Sequence, residues 1–206
     1  MKKEFDFKLT LLKYFWDNRE KSILKSPTGV MKQKYLFFYN MFAKVNNQPY
    51  TLSGLKAFKN GPVFQDIYKA AQKNPRLESS NFAVQKINDD LAKITVFLLE
   101  LYGSRISAAS HKFDLWQNSY SRANKTIEDE DITEDDIFKI KCLFEETKYA
   151  LENCSLYFNK HRVPLLLPKE KKNYIINNFE DELNSLELEE IIPVYVTEEN
   201  GVINFG

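Results

Sequence analysis

The sequence predicts a mainly α-helical globular protein with a small β element, extended at its C-terminal end by a further helix and a β-hairpin. Three observations carry this. Apolar residues recur at steps of three and four through most of the chain, as in Val84, Ile87, Leu91, Ile94, Leu98 and Leu101, which is the period of a helix buried on one side. Gly and Pro are few and fall between these runs, at 26–29, 60–62 and 103, where they punctuate helices. The last sixteen residues instead alternate apolar and polar around Asn200-Gly201, a two-residue hairpin signal.

Each element follows in order. Leu9, Leu12, Trp16 and Ile23 predict an amphipathic helix over residues 8–24. The stretch "SPTG" breaks it, and Thr28 is placed to cap the next helix, about 29–46. That helix carries Met31, Tyr35, Phe38 and Phe42 on one stripe, widened by Leu36, Tyr39 and Ala43 enough to be buried on two sides. "YTL" (50–52) reads as a short strand, and Ser53 as the cap of a short helix ending near Lys59. Asn60 and Gly61 then close that helix, and Pro62 opens another bearing Val63, Ile67, Ala70 and Ala71. The run from Val84 to Leu101 predicts the central helix, stopped by Gly103. Two short helices with a break follow in 104–120, then an acidic loop. Thr133 and Asp136 form a capping box for a long helix over about 134–160. "VPLLLP" (163–168) is extended, because proline restricts its neighbours, and residues 170–190 read as an acidic helix. The domain boundary is drawn at 160, with residues 161–206 as an acidic extension.

With 206 residues, 43% of them hydrophobic and 14% aromatic, the chain can bury a core unaided. Cys142 and Cys154 lie twelve apart in one predicted helix, about 18 Å, too far to be bridged. Free thiols, no apolar run of membrane-spanning length and no signal-peptide core predict a soluble, cytoplasmic protein. The zero net charge conceals a split. Residues 1–76 hold 15 Lys and Arg against 5 Asp and Glu, whereas residues 77–206 hold 14 against 24. This asymmetry suits an anionic partner at one end, a cationic one at the other, or attraction within the fold.

The motifs of most enzyme classes are missing. His111 and His161 are the only histidines, neither has metal-ligand partners at useful spacing, and the cysteines form no pair of pairs. There is no nucleophile elbow, Walker loop or dinucleotide fingerprint. The carboxylates of 128–136 are assigned to a hydrated loop rather than to acid–base work. No catalytic residue, metal or cofactor is therefore expected. Nucleic acid is disfavoured as a partner. In "KQKYLFFYNMFAK" (32–44) the aromatics fall on one helical side with Lys32, Lys34 and Lys44 elsewhere, a core pattern rather than a base-stacking platform, and arginine is scarce. Binding to another protein is the remaining class. The acidic stretch "NYIINNFEDELNSLELEEII" (173–192) would suit a lid over a basic site.

Three short boxes sharpen this. "MKQKYLFFYNMFA" (31–43) is aromatic-rich. "AFKNGPVFQDIY" (57–68) holds Ala57, Gly61, Pro62, Val63 and Tyr68. "SHKFDLW" (110–116) holds His111 and Trp116. In this order and spacing they resemble the Panacea, or SocA-like, antitoxin domain of bacteria and phages, over about residues 8–145. Phe58, Ser110 and Leu115 depart from the tryptophan, threonine and proline usual in the family. The resemblance implies a mainly helical, non-enzymatic protein that binds and neutralises a toxin encoded beside it. It also implies an alternative, an adaptor or phage regulatory protein that delivers a client to a host protease; a nucleic-acid-binding regulator stands behind both. Gly61, Pro62, Val63, His111 and Trp116 are read as structural. Val63 is assigned to the core, His111 to hydrogen-bonding a buried backbone group, and Trp116 to packing beneath it. The candidate partner surface joins Lys56, Lys59, Asn60 and Tyr68 near the Gly-Pro turn to Glu180, Asp181 and Glu182 of the extension.

Overall fold

A computed structural model describes residues 2–18, 28–187 and 193–206. It is mainly α-helical with small β elements. The chain forms two compact units, Met1–Phe144 and Glu145–Gly206.

The first unit is built on α2 (Gly29–Val45). Every residue from Gln33 to Ala43 is buried, so this helix is enclosed on all sides rather than along one stripe. Thr28 caps it as expected, its hydroxyl accepting from the Met31 N–H at 3.3 Å. Helix α1 (Lys2–Asn18) packs beside it, with Phe15 stacked on Tyr35 at 4.6 Å between centroids. Ile23 of the predicted first helix lies outside the described residues.

The next segment departs from expectation. Leu55–Phe58 and Gly61–Phe64 are strands β1 and β2 of an antiparallel hairpin, not the end and start of two helices. The reason lies in β1's surroundings. Its outer edge is paired, with the Ala57 N–H donating to Lys125 O at 2.8 Å and the Ile127 N–H to Leu55 O at 3.0 Å. Pro62 is opposite Ala57, at a position whose N–H would point out of the hairpin, so its missing donor costs no ladder bond. Helix α3 (Gln65–Lys73) follows directly and buries Ile67.

Helix α4 (Asp89–Tyr102) starts later than predicted. Asn88 accepts from the N–H groups of Asp90 and Leu91, both at 3.1 Å, and Asp89 and Asp90 occupy the first turn. This is a strong start signal, and it leaves Val84 outside the helix and 70% exposed. Gly103 ends the helix with φ +51°. Helices α5 (Ile106–Ser110) and α6 (Asp114–Tyr120) are the two short helices expected.

Helix α7 (Glu134–Asn153) carries the predicted capping box. The Thr133 N–H donates to Asp136 at 3.1 Å and the Asp136 N–H to Thr133 Oγ1 at 3.0 Å. The same carboxylate, fully buried, accepts the Asp114 and Leu115 N–H groups of α6 at 2.7 and 3.0 Å. One side chain thus caps two helices. The acidic loop before it is ordered by ion pairs rather than only hydrated: Asp129 meets Lys44 and Tyr50, and Asp131 meets Arg122.

The second unit begins inside α7. That helix stops at Asn153, seven residues short of the prediction, and Cys154–Phe158 is strand β3, paired antiparallel with β4 (Pro164–Pro168). A boundary at 160 would split this hairpin. Cys154 is therefore not helical, and both cysteines are free. The predicted acidic helix is two, α8 (Lys172–Asn178) and α9 (Glu180–Ser185). Strand β5 (Val194–Glu199) then pairs parallel to β4 and antiparallel to β6 (Val202–Phe205). Asn200 (φ +54°) and Gly201 (φ +79°) form the predicted turn. Val163, Leu165, Leu167, Ile175, Leu183 and Val196 are its core.

Replacing Asp136 by alanine strands three buried or half-buried N–H groups at once. Such a loss costs about 3 kcal/mol or more. Urea unfolding of Asp136→Ala should show it, and a stability equal to wild type would refute the shared cap.

Candidate functional site

The edge of β2 that faces α2 offers one carbonyl and one N–H, and α2 answers both with side chains. Gln33 Oε1 accepts the Phe64 N–H at 2.8 Å, and Lys34 Nζ donates to Pro62 O at 3.1 Å. Gly61 makes room for the second contact. Its φ is +93°, and a Cβ there would lie 2.3 Å from both Lys34 Nζ and Ser110 Oγ. The glycine is needed for conformation and for space, which differs from the helix-closing role expected of it.

Lys34 is 0% exposed. Other lysines of this unit have carboxylate partners, among them Lys8, which pairs with Asp66, and Lys32, which pairs with the buried Glu78 at 2.9 Å. Among the described residues no carboxylate is within ion-pair distance of Lys34. Burial pushes its pKa down to about 7. His111 lies close enough that its own pKa is lowered, by burial first and then by the charge of Lys34.

His111 stacks on Trp116 with centroids 4.0 Å apart, and Trp116 on Tyr120 at 5.0 Å, with Lys125 Nζ 4.2 Å from the Tyr120 ring. The Trp116 indole N–H donates to Phe58 O at 2.9 Å and ties the third sequence box to the hairpin. His111 does not hydrogen-bond the backbone through Nε2, as expected from sequence. That atom is buried without a partner among the described residues.

Beside this cluster lies a groove of about 490 Å³, a size that accepts a small ligand or a few side chains. The α2 start (Thr28, Gly29, Val30, Lys34), the hairpin (Phe58, Lys59, Asn60, Val63), α3 (Ile67, Tyr68, Ala71) and Leu77 line it. Val30 is 38% and Tyr68 46% exposed at its rim. The structure thus brings together Lys59, Asn60 and Tyr68 of the sequence-predicted surface. Val63 lines the groove rather than the core. Lys56 does not line it, and Glu180, Asp181 and Glu182 are exposed residues at the start of α9 in the second unit.

Lys34 escaped the sequence reading, which set it apart from the aromatic stripe. The available signal was the density of apolar residues on every side of it in α2. Among the described residues, no group of His, Cys, Asp and Glu could hold a metal ion, and no helix is long and apolar enough to cross a membrane. No protein-family model, curated protein or solved structure significantly matches the chain.

The unfolded chain keeps the Lys34 proton up to the ordinary lysine pKa, while the folded chain releases it near 7. Below 7 both states are charged, and the folded state bears the full cost of burying the charge. As pH rises above 7 that cost is relieved. Lys34→Met removes that cost, about 4 kcal/mol at pH 6, and unpairs the Pro62 carbonyl at about 1–3 kcal/mol at any pH, so its gain over wild type should be largest at pH 6 and shrink steadily towards pH 10. Urea unfolding at both pH values measures it, and a gain independent of pH would contradict the buried amine. Gly61→Ala should lose about 3 kcal/mol, from φ strain and overpacking together; a loss within the ordinary glycine-to-alanine range would show that the pocket relaxes freely.

Proposed function

We propose that this protein is an antitoxin that neutralises a toxic protein encoded beside it by binding it directly. The observation that supports this reading best is the groove between α2, the hairpin and α3. Largely apolar walls, with the Lys32–Glu78 pair among them, run to a rim where Val30 and Tyr68 remain exposed and Lys59 and Asn60 stand beside them. Exposed aromatic and apolar side chains around a concave, pre-formed site suit anchoring of a partner's side chains. The order of the three sequence boxes agrees with it, since the second supplies a wall of the groove and the third braces that wall through Trp116. The partner acts as the bound species, and no bond is made or broken in it.

The test is co-expression with the adjacent open reading frame. That frame alone should arrest growth, and this chain should restore it without lowering the toxin's level, which separates occlusion from delivery to a protease. Val30→Asp with Tyr68→Ala should abolish the rescue while the variant melts like wild type. A harmless neighbour removes the toxin reading, and full rescue by the folded double variant removes the groove from it.

A further inference from the structure

Resting on that reading, we propose that the partner segment filling the groove is an apolar stretch carrying a carboxylate, and that this carboxylate pairs with Lys34. The inference begins from an imbalance of charge. Lys8 and Lys32 are each neutralised by an acidic side chain, Asp66 and Glu78. Lys34 is more deeply buried than Lys32 yet has only a neutral acceptor, the Pro62 carbonyl. An ammonium group has three donors, so two are left without a partner among the described residues. A buried cation without a counter-ion is costly, and a ligand that brings the missing charge recovers that cost.

The surroundings fit the same chemistry. Lys34 forms part of the groove wall. The first turn of α2, which also lines the groove, contains no acidic residue to balance the positive end of the helix. At Gly29 there is open space where a side chain would stand. Lys32 and Glu78 also line the groove but neutralise each other, and Lys59, exposed at the hairpin turn, adds a cation with no carboxylate partner among the described residues. The apolar positions Val30, Val63 and Ala71 accept the uncharged part of the ligand. Because Lys34 is covered in the free chain, its engagement requires the Lys59–Asn60 turn to give way. That turn is exposed, and it adjoins Gly61, whose α-carbon sits against the amine. An acidic occupant also agrees with the excess of basic residues in 1–76.

The chemistry can be tested on the purified full chain before the partner is known, with octanoate and 1-octanol as probes of equal chain length. Backbone amide shifts of Gly29, Gly61 and Tyr68 report binding at the groove. Octanoate should bind about tenfold more tightly than octanol, and Lys34→Met, which fills the same volume without charge, should bring the two together. Lys59→Met should retain the preference. Equal binding of both probes to wild type overturns the inference, as does a preference that survives Lys34→Met or disappears in Lys59→Met alone. The antitoxin reading is judged separately. A toxic neighbour captured equally by wild type and Lys34→Met removes the role of Lys34 and keeps that reading. A harmless neighbour beside an octanoate preference lost in Lys34→Met upholds the Lys34 site and removes that reading.

Discussion

The contact of Lys34 with the Pro62 carbonyl, made beneath Gly61, is the constraint on which the first unit turns. A β-hairpin packed against a buried helix leaves one strand edge facing apolar side chains. Each of its polar groups left unpaired there costs about 1–3 kcal/mol. α2 solves this with two consecutive polar residues, Gln33 for the Phe64 N–H and Lys34 for the Pro62 carbonyl. The solution dictates the rest of the local sequence. Proline suits a position with no inward donor to lose, glycine a site where any side chain would strike the amine, and Ser110 completes the floor. What looks in the sequence like punctuation between helices is the joint between a helix and a strand.

From that joint the remaining elements are fixed in turn. The Trp116 indole holds the far end of β1 through Phe58 O, and α6, which carries Trp116, starts on the carboxylate of Asp136 in α7. The second and third boxes therefore meet in space although about fifty residues separate them. The hairpin in turn sets one wall of the groove, and α3, which begins directly after Phe64, sets the opposite rim. In the second unit a single buried amide has the corresponding office. Asn159 donates to the Leu183 and Leu186 carbonyls and accepts from the N–H groups of His161 and Val163, so the β3–β4 turn is locked to the end of α9.

Much of this was legible in the sequence, and the failures have physical causes. Capping by Thr28, the Thr133–Asp136 box, the Gly103 stop and the Asn200-Gly201 hairpin depend on local chemistry, and local chemistry decided them. The β1–β2 hairpin was missed because its four-residue strands are stabilised from outside, by Lys125 and Ile127 on one edge and by α2 on the other. No local pattern records partners that distant. Helix α7 was overrun because Cys154 and Phe158 continue its apolar spacing, and only pairing with β4 reassigns them. Of the candidate site, Lys59, Asn60 and Tyr68 were found through the motif that contains them. Lys34 was not, since a lysine in a helix ordinarily carries its charge to water.

That ordinary behaviour is why Lys34 bears on function. A methionine would fill the same volume, and a serine or glutamine elsewhere could serve the Pro62 carbonyl, so satisfying one strand edge does not by itself require an amine at that depth. Tertiary packing alone favours the neutral alternative, because a charge removed from water is destabilising unless it is paired. The same unit supplies carboxylates to Lys8 on α1 and to Lys32, two residues before Lys34 on α2, which shows that the fold has the means to neutralise a buried lysine and does not use it here. The residue that departs from the rule borders the groove, on a helix whose first turn carries no acidic side chain. Stability given up at one point, in a wall whose other buried charges are paired, is the arrangement expected where the missing charge arrives with a ligand.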